Sequence, residues 1–342
     1  MTAAVVTGVG SALPATFDQD AVWDGFFAHH YDGVRAARRI FASSGVRRRH
    51  AVASPMDEDI SGWGTGARMQ RYVQEALPLG KQAVATALDA AGLAPGDLGL
   101  FAVATCTGYA TPGLDIRLAG DLGMPAGLER LLVGHMGCYA AIPGLAAVSD
   151  FVTARSRPAV LLCCELTSLH VQPAQRDLEQ VVAHALFSDA AAAVVLEPGA
   201  SRGRRLAGIV ARTDASTADH MTWDVTDLGF RMGLSPRVPD VLSLHVGGVV
   251  EELLGTAGLR IEDVAGWAVH PGGPRILDVV RDELGLTEDQ IAASRRVLAE
   301  HGNCSSATVL LVLEEMADVD GPVVVMAFGP GLTLYAALLL PA

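Results

Sequence analysis

Three segments of the sequence carry residues suited to nucleophilic chemistry. Cys138 follows a glycine in GHMGCYAA and opens an Ala-rich stretch, His270 ends an apolar run in AVHPGGPR, and Asn303 stands in HGNCSSA. A cysteine at a helix start lies where free backbone N–H groups and the helix dipole favour a thiolate. A neighbouring histidine can take up its proton, and a thiolate attacks thioesters readily. Gly137 permits the sharp turn ahead of it. His270 and Asn303 each offer a neutral N–H donor. Two donors aimed at one thioester carbonyl form an oxyanion hole, and the same pair would stabilise the enolate left when a malonyl thioester loses CO2. Each residue also has a plainer fate: an isolated Cys is usually a small buried apolar group, and an isolated His a satisfied core residue.

An internal repeat gives these residues a common address. Shifting the sequence by 166 residues lays 91–104 (AGLAPGDLGLFAVA) over 257–270 (AGLRIEDVAGWAVH), and 135–141 (HMGCYAA) over 301–307 (HGNCSSA). Each copy reads as a helix ending at Gly-Leu, a short apolar strand, a turn opening an Ala-rich helix, and a β-rich run after proline. Alternating strands and helices predict an α/β fold with parallel strand pairs. Two such units make a duplicated five-layer α-β-α-β-α sandwich, the thiolase fold. The expected division is 1–205, carrying the nucleophilic Cys, and 206–342, carrying the His and Asn. Equivalent turns of the two units should face each other and bring Cys138, His270 and Asn303 together. Residues 201–245 match nothing in the first copy and are expected to form loops and short elements over the site.

Composition narrows the classes. Half of the 342 residues are hydrophobic and 18% are charged, enough to bury a sizeable core. The net charge of −13 argues against nucleic-acid binding. Apolar runs fall short of a membrane span, and the N-terminus lacks a basic start and apolar signal core; a cytoplasmic protein without a membrane partner is expected. Five cysteines with no CxxC or zinc-type spacing point to free thiols and no metal. Arg35, Arg38, Arg39, Arg47, Arg48 and Arg49 cluster within fifteen residues of an otherwise acidic chain. Such a cluster suits an anionic ligand such as a phosphate, or simply a solvated face.

With these motifs in order, the sequence resembles the type III polyketide synthases, the chalcone-synthase-like family, over nearly its whole length. GHMGCYAA, AVHPGGPRILD, HGNCSSAT and AFGPGLT carry the resemblance. It implies Cys138 as the acyl-carrying nucleophile, with His270 and Asn303 serving decarboxylation and condensation. It implies Phe187 and Phe230 as gatekeepers at the cavity mouth, and Gly329, Pro330 and Gly331 as a loop shaping the cyclisation cavity. It implies Arg39 as a coenzyme A contact, whereas two other basic positions of the family hold Ala36 and Ser43. Malonyl-CoA enters as substrate and no cofactor is implied. The family is dimeric, so a homodimer is expected, with Thr111 replacing a Met that reaches the partner in plant relatives.

Within the family, TCTGYATPGLDIRLA, ELTSLHVQP and ADHMTWDVTDLGFRMGLSPRVPDV resemble the bacterial 1,3,6,8-tetrahydroxynaphthalene synthases. That subgroup joins five malonyl units and closes two rings, and its products feed pigments. It has Cys where plant enzymes usually have Thr, here Cys106, which is expected in the cavity with Ser305. Cys163 and Cys164 read as core, and Cys304 as packing. The competing readings are a ketoacyl-carrier-protein synthase, a pyrone or alkylresorcinol synthase with a fatty acyl starter, and a non-enzymatic scaffold.

Overall fold

The computed structural model describes residues 2–342. The first unit begins with β1 (Ala4–Ala12), followed by the short α1 (Ala37–Ala42). Then come α2 (Thr65–Ala91), β2 (Leu100–Thr105), α3 (Leu114–Asp121), β3 (Glu129–Gly134), α4 (Ala141–Arg155), β4 (Ala159–Leu166), α5 (Leu178–Leu186) and β5 (Asp189–Pro198). The second unit runs β6 (Arg204–Thr213), a hairpin of β7 (Met221–Thr226) and β8 (Gly229–Leu234), α6 (Val238–Gly255) and β9 (Gly266–Val269). It closes with α7 (Pro274–Leu284), α8 (Ala292–His301), α9 (Thr308–Glu315), β10 (Val323–Gly329) and β11 (Thr333–Pro341).

Nine strands form one sheet in the order β9-β10-β11-β6-β1-β5-β4-β2-β3. The repeat is visible in its pairing. β2 runs parallel to β4, as β9 does to β10. β4 is antiparallel to β5, as β10 is to β11. β5 is antiparallel to β1, as β11 is to β6. The units join where β1 meets β6 in a short antiparallel contact, Val5 opposite Arg205 and Val6 opposite Arg204. β6 therefore belongs to the central sheet. Part of the segment expected to be loops over the site is the second unit's first strand, and the expected 205/206 division falls inside it. β3 has no counterpart in the second unit among the described residues.

Side-chain alternation builds the layers. In β4, Leu161 and Cys163 face inward onto α4, while Val160, Leu162 and Cys164 face the outer helices α2 and α3. In β10, Val325 and Ala327 face the same interior, where α9 lies, while Val324 and Met326 face α6 and α7. Both faces of each sheet half are covered, which explains apolar runs too continuous for a half-exposed strand. α4 and α9 form the middle layer, with Leu145, Val148, Leu310 and Val312 packed between the two sheet halves. Replacing fully buried Leu161 by Ala is expected to lower unfolding free energy by about 2–5 kcal/mol, whereas the same change at Leu244, 76% exposed, should stay within about 0.5 kcal/mol. Denaturant titration of the two variants checks this, and equal midpoints would contradict the layer assignment.

Candidate active site

The chain leaves β3 at Gly134 and turns through Gly137, whose φ of 75° is a left-handed conformation. A tight helical turn, Gly137–Tyr139, follows and runs into α4, so Cys138 stands at the head of a central-layer helix. A Cβ on Gly137 would lie 2.7 Å from Cδ of Pro330. On Gly329 it would lie 2.6 Å from Cδ1 of Tyr139. The nucleophile turn and the 329–331 loop thus approach closely because these positions lack side chains. Pro330 lines the space around Cys138, whereas Gly329 and Gly331 do not.

His270 follows β9, and its backbone N–H donates to Met326 O at 2.8 Å. Its ring is buried, and neither ring nitrogen has a hydrogen-bond partner. Asn303 sits between α8 and α9. Its N–H donates to Leu186 O at 2.8 Å and its carbonyl accepts from Ser188 N–H at 3.0 Å. Its Oδ1 accepts the Ser305 N–H at 2.9 Å, so the NH2 group is the donor it offers. Ser305 has a φ of 49°, unusual for a residue with a side chain. Its Oγ lies 3.4 Å from Cys106 Sγ.

Cys138, His270, Asn303 and Phe187 line one cavity of about 600 Å3 with a mostly apolar wall. On its inner side, Cys138 also borders a space of about 20 Å3 shared with Cys106, Trp223, Ser305 and Pro330. Phe187 caps α5, pairs with Asn303 as an isolated bridge, and borders both spaces. Phe230 lines an adjoining space of about 50 Å3 together with Phe187, Trp223 and Met232. It is buried in β8, stacked on His170 with centroids 4.6 Å apart, and lines neither space that holds Cys138. Its neighbours Met221, Trp223 and Met232 line the space instead. Arg39 is exposed on α1; Ile40 and Ser43, beside it, line the cavity mouth.

Several contributors were not singled out from the sequence. Glu165, fully buried, accepts hydrogen bonds from Cys106 N–H (3.0 Å), Thr107 Oγ1 (2.8 Å) and Ser306 Oγ (2.5 Å). Burial raises its pKa, and these bonds pull it back. A carboxylate inside the apolar run AVLLCCEL was the available signal. Trp223 donates its Nε1–H to Cys106 O at 2.7 Å, which fixes the wall behind the thiol; no local pattern marks that contact.

The resting charge state differs from the expectation of a thiolate favoured by the helix start. Burial pushes the Cys138 thiol up to about 12, and the nearby Glu165 adds to the rise, while hydrogen bonding from Ser305, the Cys138 amide and Asn303 opposes it. Burial pushes His270 down to about 3. Neither group is stable charged by itself. A proton passed from the sulfur to the imidazole would charge both groups together, and each charge would then offset the other's desolvation.

A duplicated α/β sandwich whose two units present a Cys, a His and an Asn to one buried cavity defines a condensing enzyme of the thiolase fold. Residues 2–200 match the chalcone and stilbene synthase N-terminal domain, and residues 212–341 the C-terminal domain. The chain belongs to the chalcone and stilbene synthase family and is a type III polyketide synthase, an acyl-transferring condensing enzyme. It is 39% identical to a 1,3,6,8-tetrahydroxynaphthalene synthase of Streptomyces peucetius subsp. caesius, over 88% of this chain and 82% of that one. It is 30% identical to the alpha-pyrone synthesis polyketide synthase-like Pks18 of Mycobacterium tuberculosis, over 98% and 91% of the two chains. The crystal structure of PKS-I from the brown alga Ectocarpus siliculosus superposes with a TM-score of 0.94 at 26% identity, covering 100% of this chain and 99% of that one.

The coupled proton makes a testable statement. With His270 present, Cys138 should be alkylated by iodoacetamide at neutral pH. In His270→Ala the thiol has lost its proton acceptor and keeps its raised pKa. Labelling should then drop at least about tenfold at neutral pH and climb about tenfold per pH unit as base is added. Peptide mass analysis of Cys138 reads the result; matching rates in the two proteins would refute the coupling.

Proposed function

We propose that the protein condenses five malonyl units from malonyl-CoA and cyclises the chain to 1,3,6,8-tetrahydroxynaphthalene. Cys138 Sγ attacks the malonyl thioester and its proton passes to His270, which returns a proton to the departing coenzyme A thiolate. A second malonyl-CoA loses CO2, and His270 and Asn303 donate hydrogen bonds to the resulting enolate oxygen. The enolate carbon attacks the Cys138 thioester, forming the new C–C bond and releasing the sulfur. Once it has returned that proton, His270 is neutral again and donates to the enolate oxygen without adding a charge there.

The observation that carries the starter assignment is the space behind the thiol. About 20 Å3 between Cys138, Cys106 and Trp223 is room for little more than one water. A long acyl starter gains no room on that side of the sulfur, whereas a malonyl unit needs none. The cavity of about 600 Å3 on the other side is of a size that takes a small polycyclic product. The relative at 39% identity carries the same product in its name. The apolar wall of the larger cavity favours one alternative, an α-pyrone from a fatty acyl-CoA starter. Incubation with malonyl-CoA alone, followed by mass analysis, separates them. A pentaketide naphthol that oxidises to flaviolin is expected; product that appears only with an added long-chain acyl-CoA would overturn the assignment.

The protein is also proposed to act as a homodimer joined along β3. This strand ends the sheet with its outer edge unpaired, and its Leu131 (37%) and Leu132 (50%) are exposed. Open edges with apolar side chains pair readily, and two copies meeting there give a two-fold interface. Light scattering should find twice the 35.6 kDa chain mass. Leu132→Arg should shift the protein toward the monomer; a wild-type monomer would refute the proposal.

A further inference from the structure

Behind Asn303, on the side away from the cavity, contacts close into a ring. The Ser188 hydroxyl accepts the His50 N–H at 2.7 Å and donates to His50 O at 3.2 Å. Ser188 N–H donates to Asn303 O at 3.0 Å. From Asn303 the chain runs back through Gly302 to His301, the last residue of α8. His301 Nδ1 lies 2.9 Å from His50 Nε2, and the two rings stack with centroids 5.2 Å apart. His50 ends a short strand, Arg48–His50, and Arg47 ahead of it donates its N–H to Ala299 O of α8 at 2.8 Å. Every link in the ring but one is covalent or made by groups that do not titrate. The contact between the imidazoles is the exception.

Only one proton fits between the facing nitrogens. His50 Nδ1 lies 3.1 Å from Pro14 O, which can only accept, so that nitrogen carries a hydrogen. In the neutral ring Nε2 is then bare and accepts from His301 Nδ1–H. A proton added to the other nitrogen of His301 leaves this bond intact. A proton added to His50 Nε2 sets two N–H groups face to face and breaks it. Burial lowers the pKa of His301, and Glu315, Glu300 and Glu314 oppose the fall. Burial lowers His50 as well; the Pro14 carbonyl opposes this, His301 adds to it, and the Glu300 carbonyl opposes it. The remaining charges on the packed elements are engaged. Glu300 pairs with Arg47 and Arg48, and Glu315 with Arg296 at 3.0 Å. Arg49 spends its donors on Gln19 Oε1, His184 O and Ala185 O, and buried Asp189 accepts from Val52 and Ser168. Asp18, opposite Arg48 on the paired strand, accepts the Asp20 and Ala21 N–H groups. Acid therefore charges His301 first and His50 last, and the second proton opens the ring.

We propose that the hydrogen bond between His50 and His301 positions Asn303, so that its loss slows malonyl decarboxylation while leaving acylation of Cys138 in place. Both histidines are positioning residues, and neither lines the cavity that holds Cys138, His270 and Asn303. The Asn303 Oδ1 bond to Ser305 N–H sets which way the amide faces; the ring sets where its backbone stands. Cys138 and His270 lie outside the ring, on the turn into α4 and after β9. The sign follows from the lowered histidines. The neutral pair holds above the ordinary imidazole value of about 6.5, and the bond is lost as pH falls through the lower values of the folded protein. The proposal rests on the reading that Asn303 serves decarboxylation of a malonyl thioester.

The test follows two rates in one reaction with carboxyl-labelled malonyl-CoA: acylation of Cys138, read by intact mass, and release of labelled CO2. In the wild type the ratio of CO2 release to acylation should fall as pH drops below about 6.5. In His301→Asn the side-chain NH2 stands where Nδ1 stood and donates to neutral His50. With the amide turned, its oxygen accepts from charged His50. That variant should match the wild-type ratio at neutral pH and hold it in acid. His301→Leu lacks the bond at every pH. Its ratio should be about tenfold lower at neutral pH, the loss of one hydrogen bond, with no further fall in acid. No acid fall in the wild type, an equal fall in His301→Asn, or a wild-type ratio in His301→Leu overturns the proposal. If His301→Leu does not fold, the comparison of His301→Asn with wild type decides. Wild-type protein that acylates Cys138 but releases no CO2 at any pH sinks the decarboxylation reading and this inference with it. Release with the same pH dependence in wild type and His301→Asn removes the inference alone.

Discussion

Two backbone hydrogen bonds hold the site together: Asn303 N–H to Leu186 O and Ser188 N–H to Asn303 O. They join the second unit's turn to the first unit's chain at the point where Phe187 enters the cavity. Other contacts radiate from this clasp. The Ser188 hydroxyl accepts the His50 N–H at 2.7 Å. Next along the chain, buried Asp189 accepts from Val52 N–H, Ser168 N–H and the Thr167 hydroxyl. A buried carboxylate without such partners would be severely destabilising. The loop segments that wall the cavity are therefore fixed by hydrogen bonds that the interior cannot leave unmade. Glu165 plays the same part on the opposite side, holding Cys106, Thr107 and Ser306 in place beneath the nucleophile.

What was legible in the sequence follows from where the repeat kept its spacing. β2 and β9 lie at the same offset as the turns of Cys138 and Asn303, so the convergence of the two units could be read by alignment alone. β6 was missed because the connection that precedes its partner helix differs in length between the units, so it does not fall under β1 at the common shift. Phe230 is held in a way the sequence does not show: its ring stacks on His170, whose Nδ1 accepts the Phe230 N–H at 3.0 Å and whose Nε2 bonds Thr107 O at 2.7 Å. That histidine is identified as a partner only by tertiary contact.

The same burial that raises the thiol and lowers the imidazole bears on decarboxylation. Of the residues lining the large cavity, Arg275 is the one permanent cation, and it stands at the mouth. On the proposed reading, a malonyl carboxylate carried in to Cys138 leaves water and meets no charge partner among the described residues of the wall. Its ground state is raised, whereas the transition state spreads the charge toward an enolate oxygen that His270 and Asn303 are placed to receive. A lysine or arginine deep in the cavity would bind the carboxylate more tightly and hold it back from that step. On that reading the neutral donors stand at the sulfur, where the substrate reacts, and the one permanent cation of the lining stays at the mouth.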